Sequence, residues 1–529
     1  MSIFLKKIIR DCLEQDLNFQ LEVPPGPQFG DFATNVALIL ASKLKQNPRE
    51  LAQGLAKKLS QHPLIKKVEV AGPGFLNFFL EPQFYHNLLQ EIEAAGADFG
   101  CSNFGQGKKI LLEFISANPT GPLTIANGRG GFGGDVLARV LTRVGFQVVR
   151  EFFVNDAGEQ VRILGESILA QSGKLLAQEK HYQGAYIANL ARNFPEKIVA
   201  NSAEQTGQNF AEILLEQEIK PVLRKMGIQF DNFFSERKLH ASTALAQTLA
   251  FLQKRNLTYE KTQALWLKTS RLGDDKDRVL VKSNGQPTYF LPDLAYHQQK
   301  FERGFERLIL ILGADHHGYV PRLKIGVKLL GYGEVEVVIA QLVKLFAGKQ
   351  ELKMSKRSGN FETLAELIAE IGADVCRWFF LERAWNTHLN FDLALAKKQS
   401  QENPVFYVQY AYTRLVAILQ KAQERWPKLE FATANLNLLQ EQIELELIKK
   451  MAELPALVEL IAQNFEVHRL PLFARELAEI LHRFYAHCRV LDSANLELTG
   501  ARLRLITVAR MTFQIILTKL IGVKAPKRM

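Results

Sequence analysis

The stretch "ANPTGPLTIANGRGGFGGD", residues 117–135, follows the apolar run "KKILLEFI" at residues 108–115 and precedes a helical pattern of valines and leucines. The apolar run predicts a buried β-strand, and the pattern after the glycines predicts an α-helix. With the next apolar run, "FQVVREFFV" at residues 146–154, these elements predict a βαβ unit. The strand's carboxyl end and the helix's amino end then share one rim, where phosphates commonly bind.

Five glycines lie in the first turns of this predicted helix, although each weakens a helix by about 1 kcal/mol relative to alanine. They are Gly128, Gly130, Gly131, Gly133 and Gly134. Either a flat ligand lies against the backbone here, or the helix packs closely on the sheet.

A nicotinamide-dependent dehydrogenase is one hypothesis for this rim. Gly128, Gly130 and Gly133 match the GxGxxG fingerprint, and Asp156 lies at about the distance expected of a ribose-binding acid. In that fingerprint the first glycine follows the strand almost at once, whereas "SANPTGPLTIAN" intervenes here. The context of the fingerprint therefore disfavours a dehydrogenase.

On both sides of this unit, apolar strands and helices alternate over residues 106–390, as in "RLILILGADHHG" and "EVVIAQLVKLF". This alternation predicts an α/β domain with a Rossmann-type, doubly wound parallel sheet, and residues 160–285 predict a helical insertion within it. Residues 1–105 mix helical and strand-like patterns and predict an α+β domain. Residues 391–529 contain few prolines and glycines and predict an all-α bundle.

Composition narrows the class of protein. The chain has 529 residues, and lysine plus arginine exceed acidic residues by 66 to 55, a net charge of +11 that favours a polyanionic partner such as nucleic acid. The four cysteines lack CxxC spacing, which argues against a zinc site and fits the reducing cytoplasm. No run approaches the roughly 18–20 apolar residues of a membrane span, so no membrane partner is expected.

Further stretches carry a resemblance to a known family. "LKMSKRSGN", residues 352–360, closely resembles the KMSK loop of class I aminoacyl-tRNA synthetases, and "ANPTGPLTIANGRG" lies where their other signature belongs. Segments similar to arginyl-tRNA synthetases in particular are "ILGADHHGYVPRLK", "DLALAKKQSQENPVFYVQYAYTR", "QFGDFATNVAL", "VAGPGFLNFFL" and "GVKAPKRM". The resemblance implies ATP-dependent ligation of L-arginine to tRNA(Arg) through an arginyl-adenylate, with release of AMP and pyrophosphate.

The resemblance also implies an ATP site. Lys356 and Lys353 are expected to contact the triphosphate, with Lys356 as the cation that stabilises the transition state. Most relatives carry His-x-Gly-His where this chain has Thr124, Ile125, Ala126 and Asn127, so Thr124 and Asn127 are expected to replace the imidazole donors. The implied ATP-binding residues are Pro119, Ala126, Gly128, Gly130, His317, Met354 and Ser355.

The altered signature leaves a second hypothesis open, a catalytically impaired tRNA-binding paralogue. Mg²⁺ is expected to arrive with ATP, and no permanent metal or cofactor is expected, because adjacent histidines such as His316 and His317 cannot easily share one ion.

Arginine recognition needs carboxylates, because they pair with the guanidinium fork in two parallel hydrogen bonds. By similarity Glu113, Ser116 and Asn118 are expected to contact the amino acid, and Tyr289 and Asp293 to grip its side chain. Two structural alternatives are a salt bridge for Glu113 and a helix N-cap for Asp293.

The implied tRNA contacts lie in the carboxyl-terminal bundle, which is expected to read the anticodon loop, while the amino-terminal domain touches the tRNA elbow. Tyr407, Tyr410 and Arg414 are the candidates, because unstacked bases need aromatic faces and cations. The alternative is that this aromatic stripe, which also includes Phe406 and Tyr412, is helix core with at least half of its rings buried. The family further implies a monomer.

Overall fold

The computed structural model describes residues 2–13, 17–348, 350–352 and 363–529. The amino-terminal region packs helices on a four-stranded antiparallel sheet of order β1-β2-β4-β3, which confirms the predicted α+β architecture. Its helices are α1 (Ser2–Leu13), α2 (Val36–Leu44), α3 (Pro48–Leu59) and α4 (Pro82–Ala95), and its strands are β1 (Leu21–Glu22), β2 (Phe32–Thr34), β3 (Ile65–Ala71) and β4 (Phe75–Leu80).

The central region alternates strands and helices. Its strands are β5 (Lys109–Glu113), β6 (Gln147–Val154), β7 (Asn232–Ser235), β8 (Thr258–Lys261), β9 (Ala264–Leu267), β10 (Arg278–Val281), β11 (Arg307–Gly313), β12 (Val335–Ala340), β13 (Val343–Ala347), β14 (Gln350–Leu352) and β15 (Leu389–Asp392). Its helices are α5 (Ile125–Arg143), α6 (Glu159–Gln171), α7 (Ala185–Asn193), α8 (Ala203–Leu214), α9 (Lys220–Lys225), α10 (Glu236–Ala241), α11 (Ala244–Lys254), α12 (Phe290–Glu302), α13 (Val320–Leu330), α14 (Leu364–Ile371), α15 (Ala373–Leu381) and α16 (Leu393–Ala396).

Five parallel strands form the main sheet in the order β12-β11-β5-β6-β7, which confirms the doubly wound prediction. From β5 the chain proceeds outward to β6 and β7, then returns to place β11 and β12 on the other side of β5. The strand order therefore reverses between β5 and β11. In such sheets ligands bind in the crevice outside the carboxyl ends of the strands at this switch point.

Close packing explains most of the glycines of α5. A Cβ at Gly134 would lie 2.5 Å from the ring of Phe114, and a Cβ at Gly133 would overlap the indole of Trp385. Gly128 and Gly131 are crowded in the same way, by Phe380 and Met226. Only at Gly130 would a Cβ make an ordinary contact, 3.8 Å from Ile311. The flat-ligand interpretation is thus not needed for four of the five glycines, because bulky side chains press on them.

The insertion between β6 and β11 differs in part from the predicted helical one. It carries helices α6 to α11, but it also returns β7 to the main sheet and forms a small antiparallel sheet of order β10-β9-β8. Thr262 and Gln263, at the turn between β8 and β9, both adopt left-handed backbone angles (φ 50° and 57°). A two-residue hairpin turn of this type requires these angles and usually contains Asn-Gly or Asp-Gly, which this turn lacks.

The carboxyl-terminal region is all-α, as predicted. Its helices are α17 (Pro404–Arg425), α18 (Gln442–Ala452), α19 (Leu454–Asn464), α20 (Arg469–His487) and α21 (Leu496–Gln514), the last continuing into a π-helical turn, Ile515–Ile521. Arg377 joins this region to α5, because its guanidinium donates to Asp135 (2.6 Å) and to the carbonyl of Ile521 (3.2 Å). Within the described ranges, no helix is both long and apolar enough to cross a bilayer.

Candidate active site

A cavity of about 1420 Å³ lies at the switch point of the main sheet. Its walls come from the carboxyl ends of β5, β6, β11 and β12, from the first turns of α5 and α12, and from residues 182–186 of the insertion. The volume exceeds the roughly 300–1,000 Å³ of ordinary small-molecule sites. It therefore has room for more than one ligand.

The backbone directly after β5 is bent into an unusual conformation. Ile115 (φ 68°) and Ser116 (φ 42°) both lie in the left-handed region, which β-branched residues rarely adopt. The bend turns the Ser116 hydroxyl back, so that it donates to Glu113 (3.0 Å) and accepts from the Phe153 N–H (3.1 Å). The strain fixes the position of the residues that follow β5, at the edge of the cavity.

Two buried carboxylates lie side by side beneath the cavity, because Glu113 of β5 and Glu151 of β6 are register partners. The Lys300 Nζ lies 2.5 Å from Glu113, and both terminal nitrogens of Arg303 bind Glu151, at 2.6 and 2.9 Å. The Tyr296 hydroxyl bridges the two acids, 3.1 Å from Glu113 and 2.6 Å from Glu151. The salt-bridge alternative for Glu113 is therefore present in the structure, although Glu113 also lines the cavity.

Asp293 lies in the first turn of α12 and faces the same cavity. The helix begins at Phe290 with Tyr289 at the N-cap position, so the N-cap alternative for Asp293 is wrong. Burial raises the pKa of Asp293 to about 6, and the negative charge of Glu113 adds to this rise, against the hydrogen bond that the Tyr319 hydroxyl donates. This carboxyl therefore loses its proton at a higher pH than an ordinary aspartate, and a cation bound beside it would lower that pH.

The other residues predicted to bind arginine also line the cavity. Asn118 accepts a hydrogen bond from the Asn155 amide (2.7 Å), and Ser116 bonds to Glu113 as described. Tyr289 is exposed at the mouth, where its hydroxyl accepts from Arg322. All five predicted residues, Glu113, Ser116, Asn118, Tyr289 and Asp293, therefore surround one space.

The start of α5 forms the adjoining wall. Thr124, Ala126, Asn127 and Gly130 line the cavity. The Asn127 Oδ1 accepts from the Thr124 N–H (2.9 Å) and from its hydroxyl (3.0 Å), which commits the amide oxygen and leaves the amide N–H₂ group as the donor for a ligand.

Three residues predicted to bind ATP lie outside this lining. Pro119 is buried, Gly128 is packed beneath Phe380, and His317 is exposed, whereas its neighbour His316 reaches the cavity wall. The 3₁₀ turn Ala314–His316 turns His316, rather than His317, toward the cavity.

The predicted residues of the KMSK stretch, Lys353, Met354, Ser355 and Lys356, lie outside the described residues. Thr363, the first described residue after this stretch, does touch the site. Thr363 lines the cavity and forms an antiparallel bridge with Thr124, and the Leu364 N–H donates to the Leu123 carbonyl (2.9 Å).

Sequence reasoning missed several cavity residues. Tyr182, Gln183 and Tyr186 come from the insertion, and the Tyr186 hydroxyl donates to the Thr120 carbonyl (3.0 Å). Tyr296, and Lys300 buried beneath the cavity, follow Asp293 at helical spacings of three and seven, which places the three residues on one face of α12.

The predicted tRNA-binding residues lie on α17, and none of them lines the cavity. The rings of Tyr407 and Tyr410 flank His482, with centroids 4.8 and 6.0 Å away, and the Arg414 guanidinium lies 4.5 Å from the ring centre of Tyr485. The core alternative is wrong in its count of buried rings. Of Phe406, Tyr407, Tyr410 and Tyr412, only Tyr412 is buried, and the other three are half-buried.

In the part of the chain that the structure describes, no three His, Cys, Asp or Glu side chains lie close enough together to hold a metal ion.

Comparisons with known proteins agree with this architecture. Sequence models of three families match the chain: the arginyl tRNA synthetase N-terminal domain (residues 4–80), the catalytic domain of class I (R) tRNA synthetases (residues 90–377) and the DALR anticodon-binding domain (residues 408–529). The arginine–tRNA ligase of Moorella thermoacetica is 44% identical over 528 residues, covering 97% of this chain and 94% of the relative. The arginine–tRNA ligase of Heliobacterium modesticaldum is 43% identical with the same coverage. The Thermus thermophilus arginyl-tRNA synthetase structure shares the fold, with a TM-score of 0.78 over all of both chains at 20% identity.

Proposed function

The chain belongs to the arginyl-tRNA synthetase family, and from this premise we propose how its residues divide the work of charging tRNA. The protein is an arginine–tRNA ligase that uses ATP as a substrate. The observation that carries the assignment of roles is that the start of α5, the flank of the KMSK stretch and the acidic residues of β5 and α12 border one cavity. Neither a dehydrogenase nor an impaired paralogue is favoured by any of these contacts.

In the first step the arginine carboxylate attacks the α-phosphate of ATP, and pyrophosphate leaves. Positioning and charge stabilisation dominate such a transfer, so the protein needs donors and cations more than a nucleophile. We assign Lys356, assisted by Lys353, to the charge that develops on the phosphates. Asn127 holds the nucleotide by a neutral hydrogen bond from its amide N–H₂ group, which Thr124 orients, and Ala126 and Gly130 form the surface beneath the nucleotide. Mg²⁺ enters with ATP as part of that substrate.

Arginine occupies the deeper half of the cavity. Asp293 meets the guanidinium, Tyr289 covers the side chain from the mouth, and Asn118 and Ser116 hold the backbone groups. Glu113 forms the acidic floor. A site of this polarity rejects analogues that lack the guanidinium strongly, because its buried polar groups would lose their partners.

In the second step the adenylate passes its arginyl group to a terminal ribose hydroxyl of tRNA(Arg). Residues 391–529 are assigned to the anticodon loop, with Tyr407, Tyr410 and Arg414 as contacts, and residues 1–105 to the tRNA elbow. The family models matched within these two regions, at residues 408–529 and 4–80, support that division. Residues 106–390 then form the catalytic domain. We assign the protein to the cytoplasm as a monomer.

Charging of purified total tRNA with each amino acid in turn tests the function. Arginine alone should be incorporated, and pyrophosphate exchange should depend on both arginine and tRNA. Incorporation of another amino acid would overturn the substrate assignment. Binding of tRNA without any exchange would instead support the impaired paralogue.

A further inference from the structure

Lys300 is fully buried beneath the cavity, where lysine is rarely found without a partner. Its Nζ lies 2.5 Å from the Glu113 carboxylate and 3.9 Å from the ring centre of Tyr296. Lys300 and Asp293 share one face of α12, seven residues apart. Lys300 therefore places a positive charge beneath the cavity, next to Glu113 and on the same helix face as Asp293.

Glu113 has hydrogen-bond partners within the protein on both of its carboxylate oxygens. One of its oxygens accepts from the Ser116 hydroxyl (3.0 Å), and the other accepts from Lys300 and from the Tyr296 hydroxyl (3.1 Å). The charge of Glu113 is therefore already paired with a cation, which weakens its attraction for a second one. The same is true of Glu151, which Arg303 binds through two nitrogens.

Asp293 differs from these two acids. Within the described residues its carboxylate takes part in no ion pair, and its hydrogen bond comes from the neutral Tyr319 hydroxyl. The three acids Glu113, Glu151 and Asp293 thus face two cations, Lys300 and Arg303. The remaining negative charge equals the charge of one guanidinium.

We propose that Lys300 is a positioning residue for arginine selection, which neutralises Glu113 and so leaves Asp293 as the acid of this group that is open to a guanidinium. This inference rests on the proposed arginine site and deepens it. It gives Glu113 a role through Lys300 rather than as the main partner of the substrate.

Charge changes at Glu113 and at Lys300 should shift the pKa of Asp293 in opposite directions. The groups that act on Asp293 are Glu113 from β5, Glu236 from α10, Lys300 from α12 itself and Tyr319 at the start of α13. Tyr319 in turn adjoins Tyr289, at the N-cap of α12, and Arg322 of α13. His297, whose Nδ1 is 2.8 Å from the Asp293 carbonyl, stays neutral because burial lowers its pKa well below the usual range. Only the Glu113–Lys300 pair is altered in the test.

The test measures kcat/KM for arginine in charging of total tRNA, at saturating ATP and tRNA, from pH 5 to pH 8. In Lys300→Met the lost positive charge should move the acid limb of the profile to higher pH, by about one unit. In Glu113→Gln the uncompensated lysine should move it to lower pH by a similar amount. The double variant Glu113→Gln/Lys300→Met should return close to the wild-type limb.

Opposite shifts that cancel in the double variant cannot arise from a merely structural role, which would lower the whole profile without moving it. Lys328→Met makes the same change at an exposed lysine and should leave the limb in place. Shifts in the same direction, or no shift in either single variant, would overturn the proposal. If Lys300→Met does not fold, the comparison of wild type, Glu113→Gln and the double variant decides, because the double variant leaves neither Glu113 nor Lys300 as an unpaired buried charge. Its acid limb should return from the Glu113→Gln position to the wild-type position.

Failure of the underlying site has a different signature. If Asp293→Asn leaves the KM for arginine unchanged, the proposed arginine site is wrong. If Asp293→Asn raises that KM but the limbs of the Glu113 and Lys300 variants do not move, only the role of Lys300 is wrong.

Discussion

Thr124 and Thr363 form an antiparallel backbone bridge, which joins the cap of α5 to the chain three residues beyond Asn360, where the KMSK stretch ends. The neighbouring Leu364 N–H donates to the Leu123 carbonyl at 2.9 Å. Thr363 is then held by its own helix, since its hydroxyl accepts from the Glu366 N–H (3.2 Å). Segments far apart in the sequence are thereby anchored to each other at the cavity wall.

Lys356→Ala should reduce arginine-dependent pyrophosphate exchange by orders of magnitude, because a cation on the phosphates acts mainly in the transition state. The dissociation constant for tRNA should hardly change. Lys398→Ala, at an exposed lysine paired with Glu402, is the matched control and should exchange at the wild-type rate. Equal losses of exchange and tRNA affinity in Lys356→Ala would mean that its role is misassigned.

Ala126→Gly should lower the KM for ATP. Ala126 is exposed on the cavity wall, and relatives with His-x-Gly-His carry glycine at this position, which lets adenine approach the backbone more closely. The substitution should also lower the unfolding midpoint slightly, since glycine weakens a helix by about 1 kcal/mol. An unchanged or higher KM for ATP would show that the cavity is already adapted to the methyl group.

Gly133→Ala and Gly130→Ala should have opposite effects. At Gly133 the new methyl overlaps the Trp385 indole, whose Nε1 is held by the Phe465 carbonyl (2.6 Å), so overpacking should destabilise the protein by about 1–3 kcal/mol. At Gly130 the methyl fits and should stabilise α5 while raising the KM for ATP. Thermal unfolding and ATP kinetics distinguish the two. Equal destabilisation would contradict the packing explanation.

Much of the site could be predicted from sequence because it lies at the ends of regular elements. Glu113 ends β5 and Thr124 caps α5, so the βαβ pattern alone places them on one rim. The reason for the glycines could not be predicted in this way. Trp385 and Phe380, which press on α5, come from a region some 250 residues later, and no local pattern indicates such contacts.

The strained backbone after β5 and the buried charge of Lys300 could not be predicted from the sequence either. The residue types of Ile115 and Ser116 give no indication of their left-handed angles, which place the Ser116 hydroxyl between Glu113 and the Phe153 N–H. Lys300 looks like a surface residue until its partner, Glu113, 187 positions away, is known. The residues that tune the site are thus those whose partners are distant in sequence.

Asp293→Asn should stabilise the unliganded protein at neutral pH while weakening arginine binding. The folded pKa, about 6, exceeds the ordinary value of 3.8, so ionisation of the buried carboxyl destabilises the wild type as the pH rises through 6. The variant should therefore be more stable by about 1–3 kcal/mol at pH 8 and equal to wild type at pH 4. Thermal midpoints across this range test the sign.

The matched control is Asp315→Asn, which makes the same change at an exposed carboxylate on the cavity wall. Saturating arginine should raise the thermal unfolding midpoint of wild type much more than that of Asp293→Asn, because only the ionised carboxylate of Asp293 forms an ion pair with the guanidinium. A variant that is less stable at pH 8 than at pH 4, relative to wild type, would contradict the raised pKa.

Tyr410→Ala should raise the KM for tRNA about ten- to a hundredfold, since stacking of a base on an aromatic ring contributes roughly 1–3 kcal/mol. The KM values for ATP and arginine should stay unchanged, because Tyr410 lies on α17 outside the cavity lining. Tyr410→Phe retains the ring and should charge tRNA like wild type. A rise in the KM for ATP as large as that for tRNA in Tyr410→Ala would instead indicate a packing role for this ring.

Arg414 supplies the positive charge beside these rings. Because burial and Arg414 lower the pKa of His482, the imidazole between Tyr407 and Tyr410 is neutral. Arg414→Gln should accordingly weaken tRNA binding and reduce its salt dependence by about one phosphate contact.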